Sequence, residues 1–395
     1  MNKRILRALA VAIGLLSLAE VLLLHWAAMA FGRNGLDLPQ SLLALAGVAL
    51  FNVIAFPMAR RRLHATGAVL LASRGWILAS VAALVSGLML AAVFAIVGGG
   101  SLVVESLGFS APTQTALVWL GGLAVTLGFG SILWGSSVGN HRVRIDQVEL
   151  PLPHLSPPHH DLRIAHITDL HIGPLLGPKR LREFVARINR LEPDLVIITG
   201  DIFDFDPAFV EAGCRELAML HGRLGVFAVL GNHDVYTGAE AVAEGLEKFT
   251  SIRLLRDEWE HLEFDGVALI LAGIEDPGEG WRERDSQSAA LERIAGEIPD
   301  GILCLLLAHR PSFFAQAAGL GFPLMLSGHT HGGQVSFPGA RHHNIGRMVS
   351  RWTRGLFQLD ESLLYVNRGL GMAGLPLRLN CPREIAMLQL VDPPD

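Results

Sequence analysis

Five short clusters of aspartate, asparagine and histidine lie in the C-terminal part of the chain. They are Asp169 and His171 in ITDLH, Asp201 and Asp204 in TGDIFD, Asn232, His233 and Asp234 in LGNHD, His309 in LAHRP, and His329 and His331 in SGHTH. In extended backbone, residues i and i+2 point the same way, so Asp169 with His171, and His329 with His331, can each turn two donors toward one centre. Each cluster alone is weak, because an isolated histidine at a strand end is most often a satisfied structural group. Burying all of them together would be costly without a compensating cation. The donors are carboxylates, imidazoles and one amide, which suit Mn, Fe or Zn better than a soft metal. Two ions need a carboxylate between them, and Asp201 is central in order. Cys214, Cys304 and Cys381 lie far apart with no CxxC spacing, and read as buried apolar thiols rather than as a disulfide framework or a zinc site.

Such clusters need rigid elements beneath them. From Arg163 onward, apolar runs such as LRIAHIT, DLVIITG and GVFAVLG alternate with amphipathic segments, and VALILAG, ILCLLLA, PLMLSG, LLYVN and IAMLQL follow with fewer helices between them. Continuous apolar strands interleaved with helices predict an α/β class with covered sheets, the later part forming a second, mixed sheet. Ligands in such folds gather beyond the carboxyl ends of the strands, where all five clusters fall.

Taken together, DLH, GDIFD, GNHD, AHRP and GHTH resemble the signature of calcineurin-like metallophosphoesterases, and GHTHGGQ with NRGLG and PLRLNCPREI resembles a bacterial, membrane-associated phosphodiesterase branch. The resemblance runs from about Arg163 to Val391. It implies a four-layer α/β/β/α sandwich and two divalent or trivalent metal ions. Asp169, His171, Asp201 and His331 would hold one ion, and Asp201, Asn232, His309 and His329 the other. It also places His233 beside the scissile phosphate as a residue that binds no metal, with Asp204 orienting it. Asp234 stands where many members carry Glu. Two cations about 3.5–4 Å apart can bind phosphate oxygens and activate a water for in-line attack. The expected activity is therefore hydrolysis of phosphodiester or pyrophosphate bonds, with His233 as general acid.

The remainder of the chain has another character. Of the 395 residues, 51% are hydrophobic and only 17% charged. Apolar runs near 5–31, 38–58, 75–97 and 115–138 each approach the roughly 20 residues that cross a bilayer as a helix. The expected organisation is a four-helix transmembrane region over 1–140, a Pro-rich linker over 141–162 and the metallophosphoesterase domain over 163–395. The first run is too long for a usual signal-peptide core and is read as a spanning helix. Within it, Glu20 and His25 are five residues apart and share no helix face well, so packing or interfacial roles are expected. Eight basic against three acidic residues give +5 to residues 1–140; with −5 overall, the rest carries −10. That acidic balance disfavours nucleic acid as a partner. Lys3, Arg4 and Arg7 before the first run, Arg60, Arg61, Arg62 and Arg74 around the second loop, and Arg142 with Arg144 after the fourth place those segments inside, which predicts a multi-pass protein of the cell inner membrane with a cytoplasmic catalytic domain.

A rival reading is a metal-binding but inactive regulatory module attached to a membrane sensor. The full set of implied ligands together with His233 argues against it. Tethering beside a bilayer favours a lipid-linked phosphoester over a freely diffusing one. Arg310, Arg341, His342, His343, Arg347, Arg351 and Arg354 could face anionic head groups, or form a solvated surface.

Overall fold

The computed structural model of the protein describes residues 3–61, 67–106, 112–278, 288–336, 344–348 and 350–394. The chain divides into two compact units, Met1–Ser137 and Val138–Asp395.

The first unit contains, among the described residues, α1 (Lys3–Ala30), α2 (Leu38–Arg61), α3 (Gly67–Ser106) and α4 (Thr113–Trp134). All four are long and apolar enough to cross a membrane. The third run, expected over 75–97, is the middle of a 40-residue helix that takes in Arg74. Small residues allow close helix approach: a Cβ on Gly128 of α4 would collide with Ser86 of α3. Glu20 and His25 serve different contacts, as their spacing suggests. Asn52 of α2 donates from Nδ2 to Glu20 Oε2 at 2.7 Å and to Ser17 Oγ at 3.1 Å. His25 Nδ1 accepts from the backbone of Leu36 at 2.9 Å, and its ring meets Phe94 edge-on.

The second unit is built on two six-stranded sheets. The strands of the first are β1 (Val143–Pro151), β2 (Ile164–Ile167), β3 (Leu195–Thr199), β4 (Gly225–Val229), β5 (Arg253–Leu254) and β12 (Arg383–Val391), in the order β1-β12-β2-β3-β4-β5. The second holds β6 (Glu258–Phe264), β7 (Val267–Ile274), β8 (Leu303–Ala308), β9 (Leu324–Ser327), β10 (Gly355–Leu359) and β11 (Ser362–Val366), in the order β10-β11-β9-β8-β7-β6. β2 to β5 are mutually parallel, as are β7, β8, β9 and β11.

Alternation along these strands makes four layers. Leu195 and Ile197 of β3 join Leu305 and Leu307 of β8 in the core between the sheets. Val196 and Ile198 turn outward, onto Phe184 and Ile188 of α5 (Pro178–Asn189), Cys214 of α6 (Val210–Leu217) and Leu246 of α7 (Asn232–Phe249). On the far side, Leu306 packs with Ile294 of α8 (Ala289–Glu297) and Phe314 of α9 (Phe314–Gly319). Because both faces of each sheet are covered, the strands read as unbroken apolar runs.

The segment 141–162 differs from the expected free connector. Residues 143–151 form β1, paired in parallel with β12 from Val143–Arg383 to Pro151–Val391. As an edge strand it alternates polar and apolar residues and lacks the continuous apolar signature of the central strands. Pro157 and Pro158 open a short 3-10 turn, Pro157–Asp161, and His159 within it is buried with Nε2 3.3 Å from the Ala268 carbonyl. That histidine is part of the packed unit.

Candidate metal centre

Each cluster follows the carboxyl end of a parallel strand. Asp169 and His171 come after β2, Asp201 and Asp204 after β3, and Asn232 and His233 open α7 directly after β4. From the second sheet, His309 follows β8, and His329 and His331 follow β9. The backbone turns sharply at this rim. Asp169, His171, Asp201, His329 and His331 hold left-handed φ values of 49°, 48°, 51°, 70° and 51°. For non-glycine residues this costs roughly 1–3 kcal/mol each, strain that persists where surrounding structure dictates the geometry. Here cross-loop hydrogen bonds do so: Asp169 N donates to Gly200 O and His171 N to Asp201 O, both at 3.0 Å. His329 N reaches both Asp169 oxygens, at 3.1 and 3.0 Å. Gly231 is required beside Asp201, where a Cβ would collide with the carboxylate.

Among the described residues three groups could hold a cation: His171 with Asp204 and His233, and two that share Asp201. Asp169, His171, Asp201 and His331 are all buried, with ligand atoms within 4.8 Å of one another, and Asp201, His309 and the half-buried His329 are gathered as closely. Asp201 belongs to both. Its Oδ2 lies 3.5 Å from His171 Nε2 and 3.3 Å from His309 Nε2, while its Oδ1 accepts from His233 N at 2.8 Å. His171 Nε2 and His331 Nε2 face each other at 3.0 Å, and His329 Nδ1 faces His309 Nε2 at 3.1 Å. His309 Nδ1 donates to the Thr199 carbonyl at 2.8 Å, which fixes the ring with Nε2 toward Asp201, the atom that would ligate a metal once its proton is lost.

The electrostatics fit cation binding. Burial would raise the pKa of Asp201, but His309 first, then His233 and His171, outweigh it and hold the group well below the carboxylate range. Burial disfavours charge on His331, and His171 and Arg378 depress its pKa further, so it stands as a neutral donor. Burial likewise opposes charge on His309, yet Asp201 and then Asp169 raise its pKa to about 10, so metal binding there must release a proton. Asn232 is 2% exposed and its Oδ1 has no hydrogen-bond partner within the protein. A buried acceptor left in that state is explained if it ligates a cation. The oxygen and nitrogen donor set is therefore suited to two hard or borderline ions. The cysteines play no part: all three are buried, and burial pushes the Cys214 and Cys304 thiols up to about 12.

His233 and Asp204 lie outside the two groups that share Asp201. His233 Nδ1 lies 2.9 Å from Asp204 Oδ1, and the His233 side chain is 16% exposed whereas those of His171 and His309 are fully covered. Asp204 also lies 3.5 Å from His171 Nδ1. Burial would raise its pKa, but the neighbouring His171 and His233 outweigh that and lower it, so it is a carboxylate.

Several supporting residues carry little sequence signal. Asp234 accepts from Gly231 N at 2.9 Å, Ile202 N at 3.1 Å and Phe203 N at 2.9 Å, tying the loop after β3 to the start of α7. Fully buried Arg378 donates to the carbonyls of Arg368, Gly369, Gly371 and Cys381, fixing the loop whose Leu370 N bonds to Thr168 O. An arginine in the apolar stretch PLRLNCP was the available clue. Arg310, considered for head groups, is instead buried in a two-bond pair with Asp276, at 2.6 and 3.0 Å. Arg341, His342 and His343 lie outside the described residues.

The family model described as calcineurin-like phosphoesterase matches residues 162–333. An uncharacterized metallophosphoesterase of Aquifex aeolicus is 31% identical over 235 residues, 58% of this chain and 85% of its own length. This chain belongs to the calcineurin-like phosphoesterase family. A second uncharacterized metallophosphoesterase, from Campylobacter jejuni, is 32% identical over 249 residues, covering 62% of this chain and 63% of its own. A transmembrane protein with metallophosphoesterase domain from Bos taurus is 32% identical over 257 residues, covering 62% and 56%. The match thus spans little more than half of some curated relatives. The resemblance read from the five motif blocks holds at the level of the family, and the α/β sheets beneath them are those it implies.

Proposed function

We infer that this protein is a membrane-anchored phosphoesterase that cleaves phosphodiester or pyrophosphate bonds with two metal ions. The observation carrying this reading is the single buried carboxylate, Asp201, shared by two donor groups, with the His233–Asp204 pair beside it. Asp169, His171, Asp201 and His331 would hold one ion and Asp201, Asn232, His309 and His329 the other. What Mn, Fe or Zn ions supply when bound is positive charge for the phosphoryl oxygens and a water acidic enough to react at neutral pH.

The chain's own part is positioning and proton transfer. Asp204, ionised and bonded to His233 Nδ1, orients the imidazole, as the acid partner does in a histidine–aspartate pair. Nε2 then carries the proton that a departing alkoxide requires. Partial exposure lets a substrate oxygen approach this histidine and not the covered ones. Orientation by positive residues supports an inner-membrane protein with the catalytic unit in the cytoplasm. Tethering at that surface favours lipid-linked substrates.

The test is full-length protein in detergent, depleted of metal and then reconstituted with Mn, Fe or Zn, assayed on an aryl phosphodiester. Turnover should depend on added metal, and Asp201→Asn should lose both activity and bound metal, because an amide cannot replace the shared charge. Near-normal turnover with two metals in Asp201→Asn would remove the shared carboxylate from the mechanism.

A further inference from the structure

Beside His233 lies an aromatic pair that the metal chemistry does not use. Phe205 is 45% exposed and Tyr236, one of only two tyrosines in the chain, is 41% exposed. Their rings are stacked nearly parallel, 5.6 Å apart and inclined by 8°. The His233 ring lies 4.5 Å from Phe205, edge to face, and 5.5 Å from Tyr236. The same two segments that hold the His233–Asp204 pair present them: Phe205 follows Asp204, and Tyr236 is the fifth residue of α7, three residues after His233.

The backbone is bent to achieve this. Phe205 has φ of 55°, a conformation rare for a bulky side chain, and Asp206 N closes the turn around it by donating to Asp204 O at 2.8 Å. Strain of this kind, retained at a rim next to reactive groups, points to a use for the side chain it displays. The stacked pair keeps much of its ring surface in water, and such surface attracts unsaturated rings through stacking more than saturated groups of equal area.

We propose that Phe205 and Tyr236 form a stacking platform for the leaving group of the substrate, which is therefore a flat unsaturated ring system, aryl or nucleobase. The proposal rests on the phosphoesterase reading in one respect: if His233 protonates the leaving oxygen, that oxygen lies within hydrogen-bond reach of a ring 4.5 Å from Phe205. The group attached to that oxygen then begins at the platform. Stacking on such a surface is worth about ten-fold or more in affinity.

Binding and turnover are measured separately on the metal-reconstituted full chain in detergent. Binding uses non-hydrolysed methylphosphonate monoesters of phenol and 2-naphthol, and of a nucleoside and its abasic sugar. Wild type should bind the larger ring about ten-fold more tightly in at least one pair, and which pair responds identifies the ring as aryl or base. Phe205→Leu, which keeps apolar area and removes the ring, should abolish that ratio, and Phe205→Tyr should keep it. A ratio near one in wild type for both pairs, or one unchanged in Phe205→Leu, overturns the platform. So does a Phe205→Leu effect confined to binding of anionic phospholipid vesicles, which would make the pair a membrane contact. Metal-dependent turnover of the corresponding phosphate diesters is scored independently. Its absence would sink the phosphoesterase reading, while the binding ratios would still decide the platform.

Discussion

At the scale of single residues, the question is which side chains hold metal and which move protons. His233 is the sharpest case because its Nδ1 is engaged by Asp204 while its ring remains partly accessible. His233→Ala should leave metal content intact and reduce turnover by about 10²- to 10⁴-fold, the usual contribution of a positioned acid. The loss should be large for alkyl esters and small for nitrophenyl esters, since a nitrophenolate departs without a proton. Asp204→Asn should follow the same pattern more weakly. Equal losses on both leaving groups, with metal retained, would assign His233 to stabilising charge on the phosphoryl centre. The residue types that could do this chemistry were legible in the sequence. Their left-handed backbone was not, because nothing in a motif such as ITDLH shows that Asp169 and His171 must adopt φ near 50°. Phe205 and Tyr236 were equally silent, since an aromatic after an aspartate has no spacing that sets it apart.

At the scale of elements, the rim depends on loops being tied together rather than on strands alone. The central strands were readable because burial on both faces makes them continuous apolar runs. Edge strands were not: β1 alternates like a solvated segment, and β5 is only two residues long. Asp234 shows a loop tie most clearly. One carboxylate receives three backbone N–H groups from two loops, in a fully buried setting. Asp234→Ala strands those donors, and a buried unsatisfied donor costs about 1–3 kcal/mol. Because one substitution releases all three and allows some relaxation, the expected loss is roughly 3 kcal/mol or more, seen as a lower midpoint in thermal or denaturant unfolding. Metal affinity should fall as well, because Asn232 and Asp201 lie on the two loops released. Unchanged stability would mean that water replaces the carboxylate and that the loops are held by other contacts.

At the scale of the whole molecule, the chain joins a basic, apolar half to an acidic half that folds into covered sheets. What sets the orientation is the distribution of arginine and lysine over short loops rather than net charge. Lys3, Arg4 and Arg7 lie in the opening turns of α1, Arg60 and Arg61 end α2, and Arg142 and Arg144 follow α4, whereas the segment between α1 and α2 holds only Arg33 with Asp37. If all four helices cross, the even number returns the chain to its starting side, and the three basic groups then predict one orientation. Fusions made after residue 140 discriminate the two sides, since alkaline phosphatase folds only after export and green fluorescent protein fluoresces only where it folds before it. The expected result is a dark phosphatase reporter and a bright fluorescent one. Fusions placed after residue 34, beyond one crossing, should give the opposite pair. Replacing Arg60, Arg61 and Arg62 with Ala should weaken the preference, as the second loop loses most of its positive charge. An active phosphatase fusion after residue 140 would reverse the topology. The candidate metal centre would then act on substrates at the outer face, and tethering would favour phosphoesters of that leaflet instead.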